Sequence, residues 1–452
     1  MSAIPDEHKV HRTGDWLPQD HRIHKKWLQD TVNHVDKNPK SLHPVIQEFK
    51  TMIENDTRLY MLFSSMFEQI PNKKQYAKNP AGERQIRDYH HMLQLLNHLM
   101  TTAPSWNERE HRAGLVGLPF HGLFDWPMGT PSGFAVFQDP QVNAMLKKVL
   151  NVWGQFLQSP ESAKVLDTSP TGWFGEIGRE DLQSAANQAG GTDLGFEKLF
   201  ICDPNDKHHG FTSWDNFFTR QYREGVRPVA SPENDNVVAN SCESKTYKVA
   251  HGVKAHERFW IKGQPYSVLD MLAHDDLAEQ FVGGTIYQAF LSALSYHRWH
   301  SPVSGKIVKQ YVVDGTYYSE PPFTSFEAAT GEDPGGENLG QEYLSAMATR
   351  GIIFIEADNP AIGLMCVIPV GMVEVSTCEI TVKEGQHVKK GDELGMFHFG
   401  GSTHCVLFRK GVKVEGFPKA GRESNVPVRS ELCRVVKQGD GTAEGKSYMK
   451  LT

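Results

Sequence analysis

Gly395-Met396-Phe397-His398-Phe399-Gly400-Gly401-Ser402-Thr403 is the stretch on which the reading of this chain turns. Two glycines ahead of a serine open backbone conformations closed to other residues. Strain at the Gly401–Ser402 peptide would favour attack of the Ser402 hydroxyl on the Gly401 carbonyl. A serine hydroxyl is a weak nucleophile until a base takes its proton, so a histidine from elsewhere in the chain is required. Taken alone, Gly-Gly-Ser-Thr is an ordinary turn, and its surroundings must decide.

Immediately upstream, Thr381–Gly395 reads as two short strands with turns at Gly385 and Gly391. It resembles the hammerhead hairpin of lipoyl and biotinyl carrier domains, without the lysine those carriers need at the tip. A structural hairpin that positions Ser402 is the expectation. Further upstream, Tyr296-His297-Arg298-Trp299-His300-Ser301-Pro302 closes an apolar segment that begins at Phe281. Histidine takes and gives protons near neutral pH without large tuning. A bare His-x-x-His also fits metal binding or simple exposure.

Outward from these motifs the texture is β. Lys306–Val313, Gly351–Glu356, Gly363–Val367 and Met372–Val375 read as strands, with shorter ones at Val237–Ala239, Lys245–Val249 and Phe259–Ile261. Phe211–Phe218 reads as a helix capped by Ser213, and Ser267–Leu272 as a second short one. Pro321–Gln341 is long, polar and rich in glycine, and is expected to be a flap over a site, with an unstructured surface excursion as the alternative. Towards the N-terminus the apolar period becomes helical: from Pro44 through Phe67, over Arg84–Met100, over Val142–Leu157, and again from Glu180. Leu118–Phe137, rich in Gly, Pro, Phe and Trp, reads as a connecting loop able to line a pocket.

The fold expected is α+β: a polar, mostly irregular arm over 1–43 with a short helix at His21–His34, an all-helical domain over 44–195, and a β-rich catalytic domain over 210–440 with the carrier-like hairpin. A chain of 452 residues suits two domains. A net charge of −7 gives no electrostatic case for nucleic acid or an anionic membrane. The widely spaced cysteines suggest reduced thiols. No apolar leader or membrane span is visible, so a cytoplasmic protein without a membrane anchor is expected. His91 and His98 share a helix face, but no acidic partner recurs at ligand spacing, and no metal is expected.

Together, His297-Arg298-Trp299-His300 followed by Pro302, the hairpin from Val382 to Val388, and Gly401-Ser402-Thr403 resemble the phosphatidylserine decarboxylase family. Phe217-Phe218-Thr219-Arg220, Arg227-Pro228, Lys262–Ser267 and Gly283-Gly284 extend the resemblance over about 210–440. Pro44–Lys50, Met66–Ile70, Phe354–Asn359 and Ser376–Glu379 are similar to a fungal branch of the family that includes L-tryptophan decarboxylases.

The resemblance implies a pyruvoyl enzyme. An Asp-His-Ser triad would perform self-cleavage between Gly401 and Ser402, with Ser402 as nucleophile and pyruvoyl precursor and His300 as base. Glu243, in Asn240-Ser241-Cys242-Glu243-Ser244, stands where the family has aspartate, one methylene longer. His297 matches the histidine implicated in decarboxylation. The family's Leu-Gly-Ser-Thr is here Gly400-Gly401-Ser402-Thr403, with the scissile pair intact. The implied reaction is decarboxylation of a free aromatic L-amino acid, L-tryptophan to tryptamine. Phosphatidylserine is the alternative substrate, and an uncleaved, non-catalytic binding module the alternative of another class. The partners implied are the small-molecule substrate and the chain's own two fragments; a homodimer is compatible.

Overall fold

The computed structural model describes residues 4–5, 16–70, 85–109, 112–257, 266–321, 340–375, 377–421 and 424–436. The N-terminal half begins with α1 (His21–Lys37), capped by Asp20, and continues through α2 (Pro44–Asn55), α3 (Thr57–Glu68) and α4 (Tyr89–Leu99). Asp56 and Asp88 accept backbone N–H groups at the starts of α3 and α4, satisfying donors a helix leaves orphaned. An antiparallel hairpin follows, β1 (Ser105–Arg109) and β2 (Arg112–Val116). Then come α5 (Pro119–Met128), α6 (Pro131–Gln138), α7 (Pro140–Leu157) and α8 (Glu176–Gly190). Along α7, Val142, Met145, Leu146, Val149, Leu150 and Trp153 are buried at the spacing of one helical face.

Three expectations change in this half. Residues 16–43 of the arm are more regular than their polarity suggested, because Ile23, Leu28, Val32 and Val35 give α1 a buried stripe. The 44–195 region is not all helix, since β1 and β2 lie within it. Leu118–Phe137 is two helices, not a loop: Pro119 and Pro131 occupy first-turn positions, where a missing N–H costs nothing.

After α9 (Phe196–Leu199) and α10 (Trp214–Phe218), capped by Ser213, the chain becomes a set of antiparallel strands. These are β3 (Val237–Ala239), β4 (Lys245–His251), β5 (Thr285–Leu291), β6 (Arg298–His300), β7 (Gly305–Val313), β8 (Arg350–Ala357), β9 (Leu364–Gly371), β10 (Cys378–Ile380), β11 (His387–Val388), β12 (Glu393–Phe397), β13 (Ser402–Phe408), β14 (Val414–Glu415) and β15 (Glu431–Val435). Short helices α11 (Val268–Met271) and α12 (Gln341–Met347) interrupt them. The main sheet has seven strands in the order β11-β7-β8-β9-β13-β5-β4; β10-β12-β6 and β14-β15-β3 form two smaller sheets.

Side chains alternate across β13. Val406 and Phe408 join a core continuous with the helical half, which includes Phe49, Trp153 and Phe399. Cys405 and Leu407 join a second core with Phe354, Ile368, Val268 and Met271. The mixed α+β architecture agrees with the sequence reading, with differences of detail. Gly363–Val367 and Met372–Val375 are not two strands: β9 runs through Gly371, and Met372–Val375 is a turn with Val373 at φ 52°. The carrier-like hairpin closes on itself at its base, where the Thr381 N–H donates to the Leu394 carbonyl at 3.0 Å, and its strands pair with others beyond that. β11 pairs with β7, and β12 with β6 and β10. Phe259–Ile261 and most of Pro321–Gln341 lie outside the described residues, while Gln341 opens α12.

Candidate active site

Ser402 is the first residue of β13, held opposite Leu291 on one side and Gly371 on the other. Its Oγ is buried and has no hydrogen-bond partner among the described residues. The carbonyl it would attack is already engaged: Gly401 O accepts the Met372 N–H at 2.9 Å. A backbone donor on that oxygen is suited to the negative charge that develops there during attack. Gly400 turns the chain into this position at φ 91°, and a Cβ there would lie 2.7 Å from Val375 N and 3.0 Å from the Glu374 Cβ. The leucine of the family pattern would not fit this backbone, which accounts for glycine here. Val373, opposite, carries positive φ with a β-branched side chain, a conformation that costs about 1–3 kcal/mol.

His300 sits on β6, paired with Glu393 of β12. Its Nδ1 lies 2.9 Å from the Gly391 carbonyl, and the Arg429 guanidinium donates to the same carbonyl at 3.0 Å. Nδ1 also lies 3.3 Å from Arg429 Nε and 3.1 Å from its Nη2, and the His300 Nε2 lies 3.3 Å from the Tyr296 hydroxyl. Burial, with the Arg429 charge, pushes the His300 pKa down to about 3. The imidazole is therefore neutral at pH 7, the form a base requires. No hydrogen bond joins it to Ser402 in this uncleaved chain.

His297 is completely buried, stacked on Phe218 with ring centroids 3.9 Å apart. Neither ring nitrogen has a well-formed partner among the described residues. Burial holds its pKa well below the ordinary value; the Arg220 charge adds to this and the Ser292 backbone opposes it. Trp16, from the N-terminal arm, ties this histidine to the serine. Its ring lies 5.7 Å from His297, and its Nε1 donates at 3.0 Å to the carbonyl of Leu291, the residue opposite Ser402.

Glu243 is as buried as the histidines but differently employed. Arg227 donates to both its oxygens, at 3.0 Å from Nε and 2.5 Å from Nη2, and the Tyr222 hydroxyl and the Val428 N–H complete the set at 2.9 and 2.8 Å. None of these bonds goes to His300. The connection is indirect: Tyr222 stacks on Tyr296 at 4.7 Å, and Tyr296 meets His300.

Four groups at the site escaped the sequence reading. Arg429 and Trp16 come from distant segments and leave no local signal. His404 could have been found, because a residue two positions along a strand shares the face of Ser402. It is fully buried without a well-formed partner among the described residues, and burial pushes its pKa down to about 3. Glu374 follows the strained Val373; burial pushes its pKa up to about 7. A further histidine, His398, lies between two carboxylates, 3.0 Å from Asp215 and 2.6 Å from Glu379.

Ser402, buried and without a hydrogen-bond partner among the described residues, thus heads a central strand of the main sheet. Models of phosphatidylserine decarboxylase match residues 43–182 and 214–428. The chain belongs to the phosphatidylserine decarboxylase family and is a carboxy-lyase. It is 38% identical over 437 residues to the L-tryptophan decarboxylase of Psilocybe cyanescens, covering 94% of each protein. It is 47% identical to the decarboxylase iboD of Amanita muscaria over 65% of this chain and 84% of that one. Its match to the phosphatidylserine decarboxylase proenzyme 3 of Schizosaccharomyces pombe is 32% identical over 45% of this chain and 19% of that one. Among the described residues, no helix is long and apolar enough to cross a membrane.

Proposed function

We propose that this chain is a pyruvoyl-dependent decarboxylase of a free aromatic L-amino acid, L-tryptophan to tryptamine and carbon dioxide, acting in the cytoplasm. The observation that carries the reading is the extent of similarity. The L-tryptophan decarboxylase of Psilocybe cyanescens matches through both halves, whereas the lipid-named relative from Schizosaccharomyces pombe matches over 45% of this chain. The fit of the residues to the cofactor supports it: a buried serine hydroxyl without a partner, after a glycine whose carbonyl is held by a backbone donor.

In the proposed maturation, His300 takes the Ser402 Oγ proton as Oγ bonds to the Gly401 carbonyl carbon. The C–N bond breaks, and the proton passes to the freed nitrogen, leaving an ester. Loss of the residue-402 α-proton then expels the Gly401 carboxylate. Water replaces the nitrogen, which departs as ammonia, leaving a ketone at the head of residues 402–452. That ketone supplies an electron sink for decarboxylation. His297, neutral and shielded from water by Trp16 and Phe218, holds the position from which a proton is returned to the product. Glu243 supports His300 through Arg227, Tyr222 and the Tyr296 stack.

The test is carbon dioxide release by purified, cleaved protein offered L-tryptophan, other aromatic amino acids, or phosphatidylserine vesicles. Release from tryptophan with none from vesicles is expected. Release from vesicles alone would reject the amino-acid assignment, and a chain that stays whole would reject the pyruvoyl reading.

A further inference from the structure

Helix α5, whose preceding residue Leu118 stands against Gly401, starts without a cap of its own. Leu118, which precedes α5, offers no side-chain acceptor to the first turn. The acceptor comes from 253 residues away: Glu374 Oε1 takes the His121 N–H at 2.9 Å. The Phe120 N–H also lowers the Glu374 pKa, against the larger effect of burial. A carboxylate at a helix N-terminus is favoured by the dipole and the orphan donors. Here it joins the helical half to the turn that handles the scissile peptide.

The turn is only four residues long, and each has a task. Met372 N–H holds the Gly401 carbonyl, and Val373 bears the strain. Glu374 reaches the helix. Val375 N–H donates back to Met372 O, closing the turn, and its backbone nitrogen lies against Gly400. From the other side, Leu118 stands 3.8 Å from where a Gly401 Cβ would be. Phe399, two residues before Gly401, packs edge-on against Trp153 of α7 at 5.3 Å. The scissile peptide thus lies between a strained turn and the helical half; Glu374 links them directly, and Tyr317 does so indirectly, its carbonyl taking the Val373 N–H at 3.0 Å and its N–H reaching Asn143 of α7 at 3.2 Å.

We propose that Glu374 is a positioning residue for self-cleavage: by binding the start of α5 it holds the strained Met372–Val375 turn in place, so that the Met372 N–H stays on the Gly401 carbonyl. Docking of the helical half thereby becomes a condition for cutting the chain. This rests on the self-cleavage proposed above. The residue needs an acceptor oxygen, not a negative charge, because its task is to hold N–H groups.

The experiment follows full-length chains made by pulse synthesis, with cleavage read on denaturing gels over time. Glu374→Ala is expected to cleave at least about tenfold more slowly than wild type, the scale of penalty for slight misplacement of reacting groups. Glu374→Gln, which keeps the acceptor, is expected to cleave within about threefold of wild type, since an amide oxygen still accepts the N–H. Glu374→Met, which keeps most of the volume without an oxygen acceptor, is expected to cleave as slowly as Glu374→Ala, an outcome that loss of packing alone does not foretell. If Glu374→Ala does not fold, His121→Pro removes the donor from the other side, in a helical turn that tolerates proline, and is expected to slow cleavage likewise. Wild-type cleavage rates in either Glu374→Ala or His121→Pro overturn the proposal, as does Glu374→Gln cleaving as slowly as Glu374→Ala. A wild-type chain that never cleaves overturns the underlying self-cleavage reading instead.

Discussion

Glu243 and Ser402 are equally inaccessible to water, yet their surroundings differ. Around Glu243, the acceptor positions are taken by Arg227, Tyr222 and the Val428 N–H. Around Ser402 and His297, polar atoms are buried without hydrogen-bond partners among the described residues. A satisfied buried network fixes a structure; unsatisfied buried groups are costly and call for an explanation in function. Under the function proposed above, the difference separates a residue that would hold the site from residues that would react.

The sharpest test of that contrast is Ser402→Ala, which is expected to fold as an intact chain and abolish both cleavage and decarboxylation. Two-chain protein from this variant would place the reaction elsewhere. Next is His300→Ala, with cleavage expected to slow by about 10²-fold or more, the usual contribution of a positioned base. Glu243→Gln probes the satisfied side. Breaking a buried ion pair is expected to cost about 3–5 kcal/mol in denaturant unfolding, and the double variant Glu243→Leu with Arg227→Met to recover much of it. A cleavage defect as deep as that of His300→Ala, with little loss of stability, would instead make Glu243 a direct member of the triad. The smallest effect expected is on pH dependence. His404 has its folded pKa depressed, so its stabilising contribution is present above the unfolded value and lost as pH falls from about 6.5 towards 3. At about pH 5 that amounts to about 2 kcal/mol, and His404→Leu should flatten the acid limb of the stability curve by that amount.

Legibility followed the range of the interactions. The α7 stripe, the Ser213 cap and β7 were readable because a local period or a single side chain determines them. Met372–Val375 was misread as a strand because its apolar, β-branched composition favours one, while the positive φ of Val373 is imposed from outside. The Leu118–Phe137 helices were hidden because their glycines and aromatics suggest a loop, and α5 is completed by Glu374. For the site, the motifs singled out Ser402, His297, His300 and Glu243 as candidates. The motifs did not disclose that Glu243 belongs to Arg227, or that Trp16 reaches His297, since those contacts link residues with no shared sequence pattern.

The place of Ser402 at the head of β13 has a mechanical consequence. β13 lies inside the seven-stranded sheet, paired along all seven of its residues with both β5 and β9. A cut at its first residue divides the covalent chain but leaves the pairing of Thr403–Phe408 with both neighbours in place. Residues 402–452 would then be retained as a tenon in a mortise, leaving only by peeling two neighbours at once. The maturation could free a chain end for chemistry without giving that end anywhere to go.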